Sequence, residues 1–215
     1  MTGAAAQARA AILVVCEGNI CRSPAAELLL RAGLGVEAGI AVASAGLAAR
    51  AGAPVDPPVA HLLGIRGVPG AVVDAHRARQ LVPGLVRGAD LVLTMTAAQR
   101  SSVASRVPAA VRRTFVLGEF AALAGLADPS SDVPPPERLR AVVADAGRLR
   151  AVRGPAVDDV PDPYGSSDDE HARSFALVED AVARIVAALH PATALAHSGT
   201  STHPPHGPTI HGGTR

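Results

Sequence analysis

The sequence predicts an α/β protein built on a doubly wound parallel sheet. Short aliphatic runs, typical of strands that are buried on both faces, recur at residues 12–15, 40–44, 90–96 and 113–117. Segments with helical patterns separate these runs, as in a parallel sheet covered by helices. A chain of 215 residues has room for one such domain. We therefore expect ligands to bind at the carboxyl ends of the strands.

The first predicted strand leads directly into a polar loop and a helix start. Gly18 and Asn19 are residues that tolerate a left-handed backbone, so they let the chain turn after residue 15. Ser23 and Pro24 predict an N-cap and a first helical residue, in a helix over residues 24–32 that ends at two glycines. A strand that turns directly into a helix leaves several N–H groups in one concavity, at the positive end of the helix dipole. This stretch therefore predicts an anion site.

Two side chains of this loop indicate its chemistry. The sulfur of Cys16 faces the concavity, where the inward amides, the helix terminus and Arg22 favour the thiolate form. Arg22 offers its planar fork to two oxygens of a tetrahedral oxyanion. This arrangement suits attack by sulfur on phosphorus, with the equatorial oxygens held by amides and guanidinium. We favour this interpretation over an inert buried cysteine at the end of a strand.

Composition excludes several other classes of protein. The net charge is +1 and the basic residues are scattered, so no nucleic-acid partner is predicted. All 20 basic residues are arginine, which excludes an ATP-binding loop of the Gly-x-x-x-x-Gly-Lys-Ser/Thr type. No run approaches the ~20 apolar residues of a membrane span. Both cysteines lie in one loop, which favours a reducing cytoplasm over a secreted disulfide framework. No metal and no cofactor are predicted.

The middle of the chain supplies candidate neighbours for the first loop. Ser44, at the end of the second strand, is a candidate partner of Asn19 if the strands are parallel. Asp56 precedes two prolines that open a helix to about residue 63. A helical piece is expected over residues 75–81, where we interpret His76 as structural or exposed. An amphipathic helix is expected over residues 97–107.

The pattern changes after residue 118. Helices are predicted over residues 119–127, 137–152 and 168–189, with a proline and serine loop at 128–136. The segment 118–154 is treated as a helical insertion into a single domain that spans residues 1–189. Residues 190–215 are rich in Pro, Gly, Ser, Thr and His, and are predicted to be a disordered tail rather than a metal site.

A second informative stretch precedes the last helix. Two prolines and a glycine hold Asp162 in a rigid turn, two residues before Tyr164, the only tyrosine in the chain. An aspartate held in this way is a candidate general acid for the phosphoryl chemistry of the first loop.

Four motifs together resemble the low-molecular-weight protein tyrosine phosphatase family. They are the run from Cys16 to Pro24, Ser44-Ala45-Gly46, Arg79-Gln80-Leu81 and Asp162-Pro163-Tyr164, and the resemblance covers about residues 11–189. It implies a flavodoxin-like sheet of four strands in the order 2-1-3-4. It also implies that Cys16 forms a phosphocysteine, while Asp162 first protonates the leaving oxygen and then activates water. The phosphate group would lie on Glu17, Gly18, Asn19, Ile20, Cys21, Arg22 and Ser23.

The resemblance also implies supporting roles and partners. Ser23 would hydrogen-bond the thiolate, Asn19 would fix the loop through Ser44, and Tyr164 would form an aromatic wall. Cys21 would form a reversible disulfide with Cys16. The substrate would be a phosphotyrosine-containing protein or a small aryl phosphate, with a bacterial tyrosine kinase as a family-level partner.

One departure from the family pattern and two alternatives stay open at this point. Leu47-Ala48-Ala49 stands where family members often have a threonine and a bulky aromatic that walls the cleft. An arsenate reductase of the same fold is the alternative enzyme; a thiol relay within the chain needs a third cysteine, which leaves a version coupled to a small thiol. A non-catalytic phosphoprotein-binding module is the other alternative. Pro24 and Asp162-Pro163 favour the phosphatase over the reductase. Retention of Cys16, Arg22 and Asp162 together argues against the binding module.

Overall fold

The computed structural model describes residues 10–127, 133–153 and 159–190. Its sheet contains four parallel strands in the order β2-β1-β3-β4, which confirms the predicted topology. The strands are β1 (Ala10–Cys16), β2 (Ile40–Gly46), β3 (Leu91–Thr94) and β4 (Thr114–Val116). Each lies within two or three residues of its predicted position. The order brings the carboxyl ends of β1 and β2 side by side at one edge of the sheet.

Helices connect and cover the strands. They are α1 (Arg22–Leu34), α2 (Pro57–Ile65), α3 (Gly70–Asp74), α4 (Pro83–Arg87), α5 (Ala97–Arg106), α6 (Leu117–Ala124), α7 (Pro135–Arg153) and α8 (Asp168–Leu189), with 3-10 turns at Val36–Ala38 and Pro108–Arg113. None of these helices combines the length and apolar character that crossing a membrane requires.

The sheet separates two apolar layers, because successive side chains of β1 point to opposite faces. Ile12 and Val14 join the larger layer with α1, α6 and α8, whereas Leu13 and Val15 join a smaller layer with Val103 of α5. β1 is the central element of both layers, and its neighbours on either side are β2 and β3. Its last residue therefore has a position fixed by packing on both faces.

Two predictions about α1 are wrong at its ends. The helix begins at Arg22 and its N-cap is Cys21, so Ser23 lies inside the first turn, where its hydroxyl contacts Cys16. The helix also continues through Gly33, which was predicted to end it. A Cβ atom on Gly33 would lie 2.8 Å from the side chain of Val186 in α8, so this glycine marks a close helix–helix approach.

The helix predicted over residues 75–81 is also wrong. The helical turn lies earlier, in α3, and the later residues run extended beside β2. Gly46 accepts a hydrogen bond from the N–H of Leu81 (2.7 Å) and donates its own N–H to the carbonyl of Arg79 (2.9 Å). Tertiary hydrogen bonds to β2 therefore replace the helical ones.

The segment predicted to be an insertion, residues 118–154, contains most of α6 and all of α7. Arg150 fixes α7 to the sheet, since its guanidinium lies 4.2 Å from the centre of the Phe115 ring and donates to the carbonyl of Thr114 at 2.9 Å. Residues 128–132, within the predicted loop, and residues 191–215, the predicted tail, lie outside the described residues. The division into a domain over 1–189 and a tail stays a prediction.

Candidate active site

The loop after β1 turns its carbonyl groups outward. They accept backbone N–H groups of residues 47–56 at 2.9–3.0 Å. The pairs are Cys16 with Leu47, Glu17 with Ala48, Gly18 with Arg50 and Ile20 with Asp56. With its carbonyls held in this way, the loop presents N–H groups to the concavity. The first turn of α1 adds more of them, because Cys21 provides no side-chain cap.

Asn19 holds the loop in shape. It has a left-handed φ of 56° and is fully buried. Its side-chain amide donates to the hydroxyls of Ser23 (2.9 Å) and Ser44 (2.8 Å), and its side-chain oxygen accepts the N–H of Arg79 (2.9 Å). The predicted contact between Asn19 and Ser44 is confirmed. A buried side chain with three hydrogen-bond partners explains why a non-glycine residue keeps this conformation.

Cys16 lies at the centre of the loop and is 2% exposed. Its sulfur accepts the backbone N–H of Asn19 at 3.3 Å and lies 2.9 Å from the hydroxyl oxygen of Ser23. A donor N–H and a hydroxyl therefore flank the sulfur, which lies where a nucleophile toward an anion bound by the loop would be expected.

Cys21 has a different environment, although it belongs to the same loop. Its thiol points to a carboxylate oxygen of Asp56 at 3.5 Å. Burial raises the pKa of Cys21 far above its ordinary value, and the Asp56 carboxylate adds to the increase. The thiol of Cys21 stays protonated, so the two cysteines are not interchangeable. Both are free thiols in the structure.

Arg22 and Asp162 meet at the mouth of the loop. The Arg22 guanidinium is 4% exposed, donates to the carbonyl of Val160 at 3.1 Å and forms an ion pair of 2.5 Å with Asp162. Its Nε atom is buried without a partner among the described residues, which leaves a donor for an oxyanion. The Asp162 side chain is 48% exposed, so it is accessible to both a substrate and water. The structure thus brings the predicted acid beside the predicted arginine.

The rim of the site includes the segment that departs from the family pattern. Leu47, its first residue, is buried in the smaller apolar layer. Arg50 lies over the ring of Tyr164, with its guanidinium carbon 4.2 Å from the ring centre. Tyr164 is 46% exposed. One rim of the cleft is therefore a stacked arginine and tyrosine.

Sequence reasoning missed a shell of residues behind the loop. Glu27 accepts the Ser44 hydroxyl at 2.6 Å, and His76 lies 3.0 Å from the Asn19 carbonyl. Gln80 holds the turn after β2, because it bonds Ala49 and Leu47. His76, which we interpreted as structural, does contact the site, although through a backbone atom. Only the Arg79-Gln80-Leu81 motif had pointed to this region.

The fold and this constellation define a cysteine-dependent phosphatase. A parallel sheet of order 2-1-3-4 carries a thiol, an oxyanion loop, an arginine and an aspartate at the carboxyl end of its central strand. The chain belongs to the low molecular weight phosphotyrosine protein phosphatase family, whose model matches residues 11–146. Members of this class hydrolyse phosphomonoesters through a phosphocysteine intermediate. The arsenate reductase and the non-catalytic binding module are not favoured.

Individual relatives agree with this assignment. The chain is 45% identical over 118 residues to a probable low molecular weight protein-tyrosine-phosphatase, EpsP, of Ralstonia nicotianae, covering 55% of this chain and 77% of that protein. It is similar in structure to Vibrio vulnificus Wzb in complex with benzylphosphonate (TM-score 0.60, 26% identity, 82% of this chain and 97% of that one). It is also similar to the YwlE arginine phosphatase of Geobacillus stearothermophilus (TM-score 0.61, 26% identity, 82% and 90%).

Proposed function

We propose that this protein dephosphorylates phosphotyrosine in proteins, with Cys16 as the nucleophile, Arg22 as the phosphate ligand and Asp162 as the general acid. The observation that carries the assignment of the nucleophile is the contrast between the two thiols. The sulfur of Cys16 accepts hydrogen bonds in the concavity, whereas the thiol of Cys21 donates to Asp56.

The geometry supports a reaction in two steps. In the first, the Cys16 sulfur forms a bond to phosphorus while the bond from phosphorus to the ester oxygen breaks, and the Asp162 carboxyl group gives its proton to that oxygen. In the second, the Asp162 carboxylate takes a proton from water. The water oxygen attacks phosphorus, the phosphorus–sulfur bond breaks, and inorganic phosphate and the thiolate are released.

Arg22 serves both steps through its position. Its Nε donor and the loop amides hold the equatorial oxygens as their charge redistributes. The contact between Arg22 and Asp162 places the Asp162 side chain at the mouth of the loop, where the leaving oxygen would lie. Ser23 stabilises the sulfur as it leaves phosphorus, since its hydroxyl lies 2.9 Å from Sγ.

Phosphotyrosine is the substrate that the site supports best. EpsP is described as a tyrosine phosphatase, and the Wzb neighbour holds benzylphosphonate, an aromatic phosphate mimic. The Tyr164 ring offers an aromatic surface at the rim, where stacking contributes about 0.5–1.5 kcal/mol. By the same family relation, the physiological substrate is a cytoplasmic phosphotyrosyl protein, with a bacterial tyrosine kinase as the partner that supplies it.

The test is a matched pair of cysteine variants on a panel of substrates. Cys16→Ser is expected to abolish turnover of phosphotyrosyl peptide while retaining binding of a phosphate analogue, and Cys21→Ser is expected to retain turnover. Rapid quenching of wild-type protein should yield a phosphopeptide that contains Cys16. Turnover that survives Cys16→Ser, or phosphate on Cys21, would overturn the assignment. Faster hydrolysis of phosphoarginyl than of phosphotyrosyl peptide would move the substrate to that of the YwlE neighbour.

A further inference from the structure

Three side chains that the phosphatase reaction does not use converge behind the catalytic loop. The Cys21 sulfur, a carboxylate oxygen of Asp56 and Nε2 of His171 all lie within 4.8 Å of one another. Cys21 is 3% exposed and His171 is 4% exposed, whereas the Asp56 side chain is 16% exposed. A thiol, a carboxylate and an imidazole brought together inside the protein are the donor types of a zinc centre.

The hydrogen bonds of His171 orient its ring toward this cluster. Nδ1 lies 3.0 Å from the carbonyl of Ser167, which can only accept, so Nδ1 carries a proton. Nε2 then faces a carboxylate oxygen of Asp56 at 3.0 Å. Metal-binding histidines are usually fixed in this manner, with one nitrogen on a backbone carbonyl and the other on the metal.

The cluster requires a cation or bound protons at its centre. A carboxylate and the Nε2 lone pair of a neutral imidazole repel each other at 3.0 Å, unless a proton or a metal ion lies between them. The Cys21 sulfur faces the same oxygen of Asp56, so one carboxylate oxygen serves both neighbours. One divalent cation would satisfy all three groups at once.

Space and charge near the cluster are compatible with an ion. A cavity of about 10 Å³, close to the volume that one water or ion requires, lies beside the cluster and is lined by Cys21 and His171 but not by Asp56. Arg22 lines the same cavity, but the charge of its guanidinium is balanced by Asp162 at 2.5 Å. A thiolate and a carboxylate would together balance a divalent ion.

We propose that Cys21, Asp56 and His171 form a site for a thiophilic divalent cation, with Zn²⁺ as the best match. Binding replaces the proton of the Cys21 thiol and any proton shared between Nε2 of His171 and Asp56, and these protons are released to solvent. The site joins three parts of the fold, because Cys21 precedes α1, Asp56 precedes α2 and His171 lies in the first turn of α8. An ion bound there would attach the catalytic loop to the helix that follows the Asp162 turn.

The test uses Co²⁺ as a spectroscopic probe of the full-length Cys16→Ser variant. Cys21 is then the only sulfur donor from cysteine, so a thiolate-to-cobalt charge-transfer band reports on this site alone. We expect the band to saturate at one equivalent of Co²⁺ and to disappear when Zn²⁺ is added. Histidines elsewhere in the chain do not produce this band.

Two further substitutions, each added to the Cys16→Ser protein, test the ligand set. His171→Phe keeps a ring of similar size and is expected to weaken Co²⁺ binding at least about tenfold, and Asp56→Asn, which preserves side-chain shape, is expected to do the same. His61→Gln, at an exposed position of α2, is the control and should bind as the parent does. Absence of the band, or a band that neither His171→Phe nor Asp56→Asn weakens, would overturn the proposal. Circular dichroism identifies a variant that fails to fold, and the other variant then decides.

Discussion

The hydrogen bonds behind the nucleophile have a fixed direction. The Ser44 hydroxyl donates to the Glu27 carboxylate, so it can only accept from Asn19. Asn19 uses one amide hydrogen on Ser44 and the other on Ser23. The hydroxyl hydrogen of Ser23 is then available for the sulfur of Cys16. The neutral side chains of Ser44, Asn19 and Ser23 thus deliver a hydrogen-bond donor to the sulfur.

The proposed role of Asp162 as the general acid can be tested by a single substitution. Asp162→Asn removes the proton donor, so we expect turnover of phenyl phosphate to fall by about 10²–10⁴. The loss should be smaller for p-nitrophenyl phosphate, whose leaving oxygen needs little protonation. Asp159→Asn is the control from the same segment, because among the described residues the Asp159 carboxylate accepts the N–H of Ala97 in α5, away from the catalytic loop. Steady-state kinetics across a series of aryl phosphates measure this, and equal losses for every leaving group would contradict the role.

The second prediction at the residue scale concerns Gly46, which lies close against the catalytic loop. Gly46 pairs with Cys16 in the sheet, and a Cβ atom there would lie 2.5 Å from the Glu17 carbonyl oxygen and 3.0 Å from the Cα atom of Ala49. Gly46→Ala is therefore expected to displace the catalytic loop, which lowers kcat and costs about 1–3 kcal/mol of unfolding free energy.

Gly64→Ala is the matched control for that substitution. Gly64 lies in α2 and has no neighbouring atoms within 4 Å of an added Cβ, so alanine should stabilise the protein by up to about 1 kcal/mol through its helix propensity. Urea unfolding and kinetic assays on both variants provide the measurement. An unaltered kcat for Gly46→Ala would contradict this prediction, because it would mean that the added Cβ atom does not disturb the catalytic loop.

At the scale of elements, the strands and the long helices could be predicted, and the short segments could not. β1 and α8 have strong apolar patterns that local sequence alone reveals. Residues 75–81 have helical propensity, but Arg79 and Leu81 form hydrogen bonds with Gly46 and Asn19 that hold the end of this segment extended. Ser23 resembles an N-cap in sequence, yet its hydroxyl is used by Cys16 and Asn19. In both places tertiary partners override a local signal.

The residues of the candidate site divide in the same way, into those that local sequence predicts and those that only the fold brings together. Cys16, Arg22 and Asp162 could be predicted because their motifs are local and chemically distinctive. His171 and Glu27 could not, because each is an ordinary helix residue until folding brings it to residues far away in sequence. The contact between His171 and Asp56 spans 115 positions, and no periodic pattern predicts it.

The start of α8 gives a prediction that depends on pH. Ser167 and Glu170 form a capping box, and hydrogen bonds from Ser167 lower the pKa of Glu170 below its ordinary value of 4.5. A lowered pKa in the folded state means that the charged form adds stability above 4.5 and that this stability is lost as the pH falls through the folded value. We expect Glu170→Gln to lower the urea midpoint most at neutral pH, with the difference shrinking in acid. A difference that stays constant with pH would contradict the cap.

At the scale of the molecule, one buried carboxylate connects α6 and α7 to the sheet and to α5. Glu119 of α6 is 1% exposed. It forms ion pairs with Arg100 of α5 at 3.0 Å and with Arg150 of α7 at 3.8 Å, and it accepts the N–H of Val116 in β4 at 3.2 Å. Burial lowers the pKa of Arg150, and the charge of Glu119 opposes that effect. The single carboxylate of Glu119 in α6 therefore contacts residues of three other elements, α5, α7 and β4.

Removing this charge should affect the whole molecule, because two partly buried guanidinium groups would lose their counterion. We expect Glu119→Gln to cost about 3 kcal/mol of unfolding free energy, a large part of the roughly 5–15 kcal/mol of a typical domain. Glu37→Gln, at an exposed position, is the control and should change the unfolding free energy by no more than about 0.5 kcal/mol. Urea unfolding followed by circular dichroism measures both. A loss below about 1 kcal/mol for Glu119→Gln would mean that packing and the remaining hydrogen bonds, rather than this ion-pair network, hold α7 against the sheet.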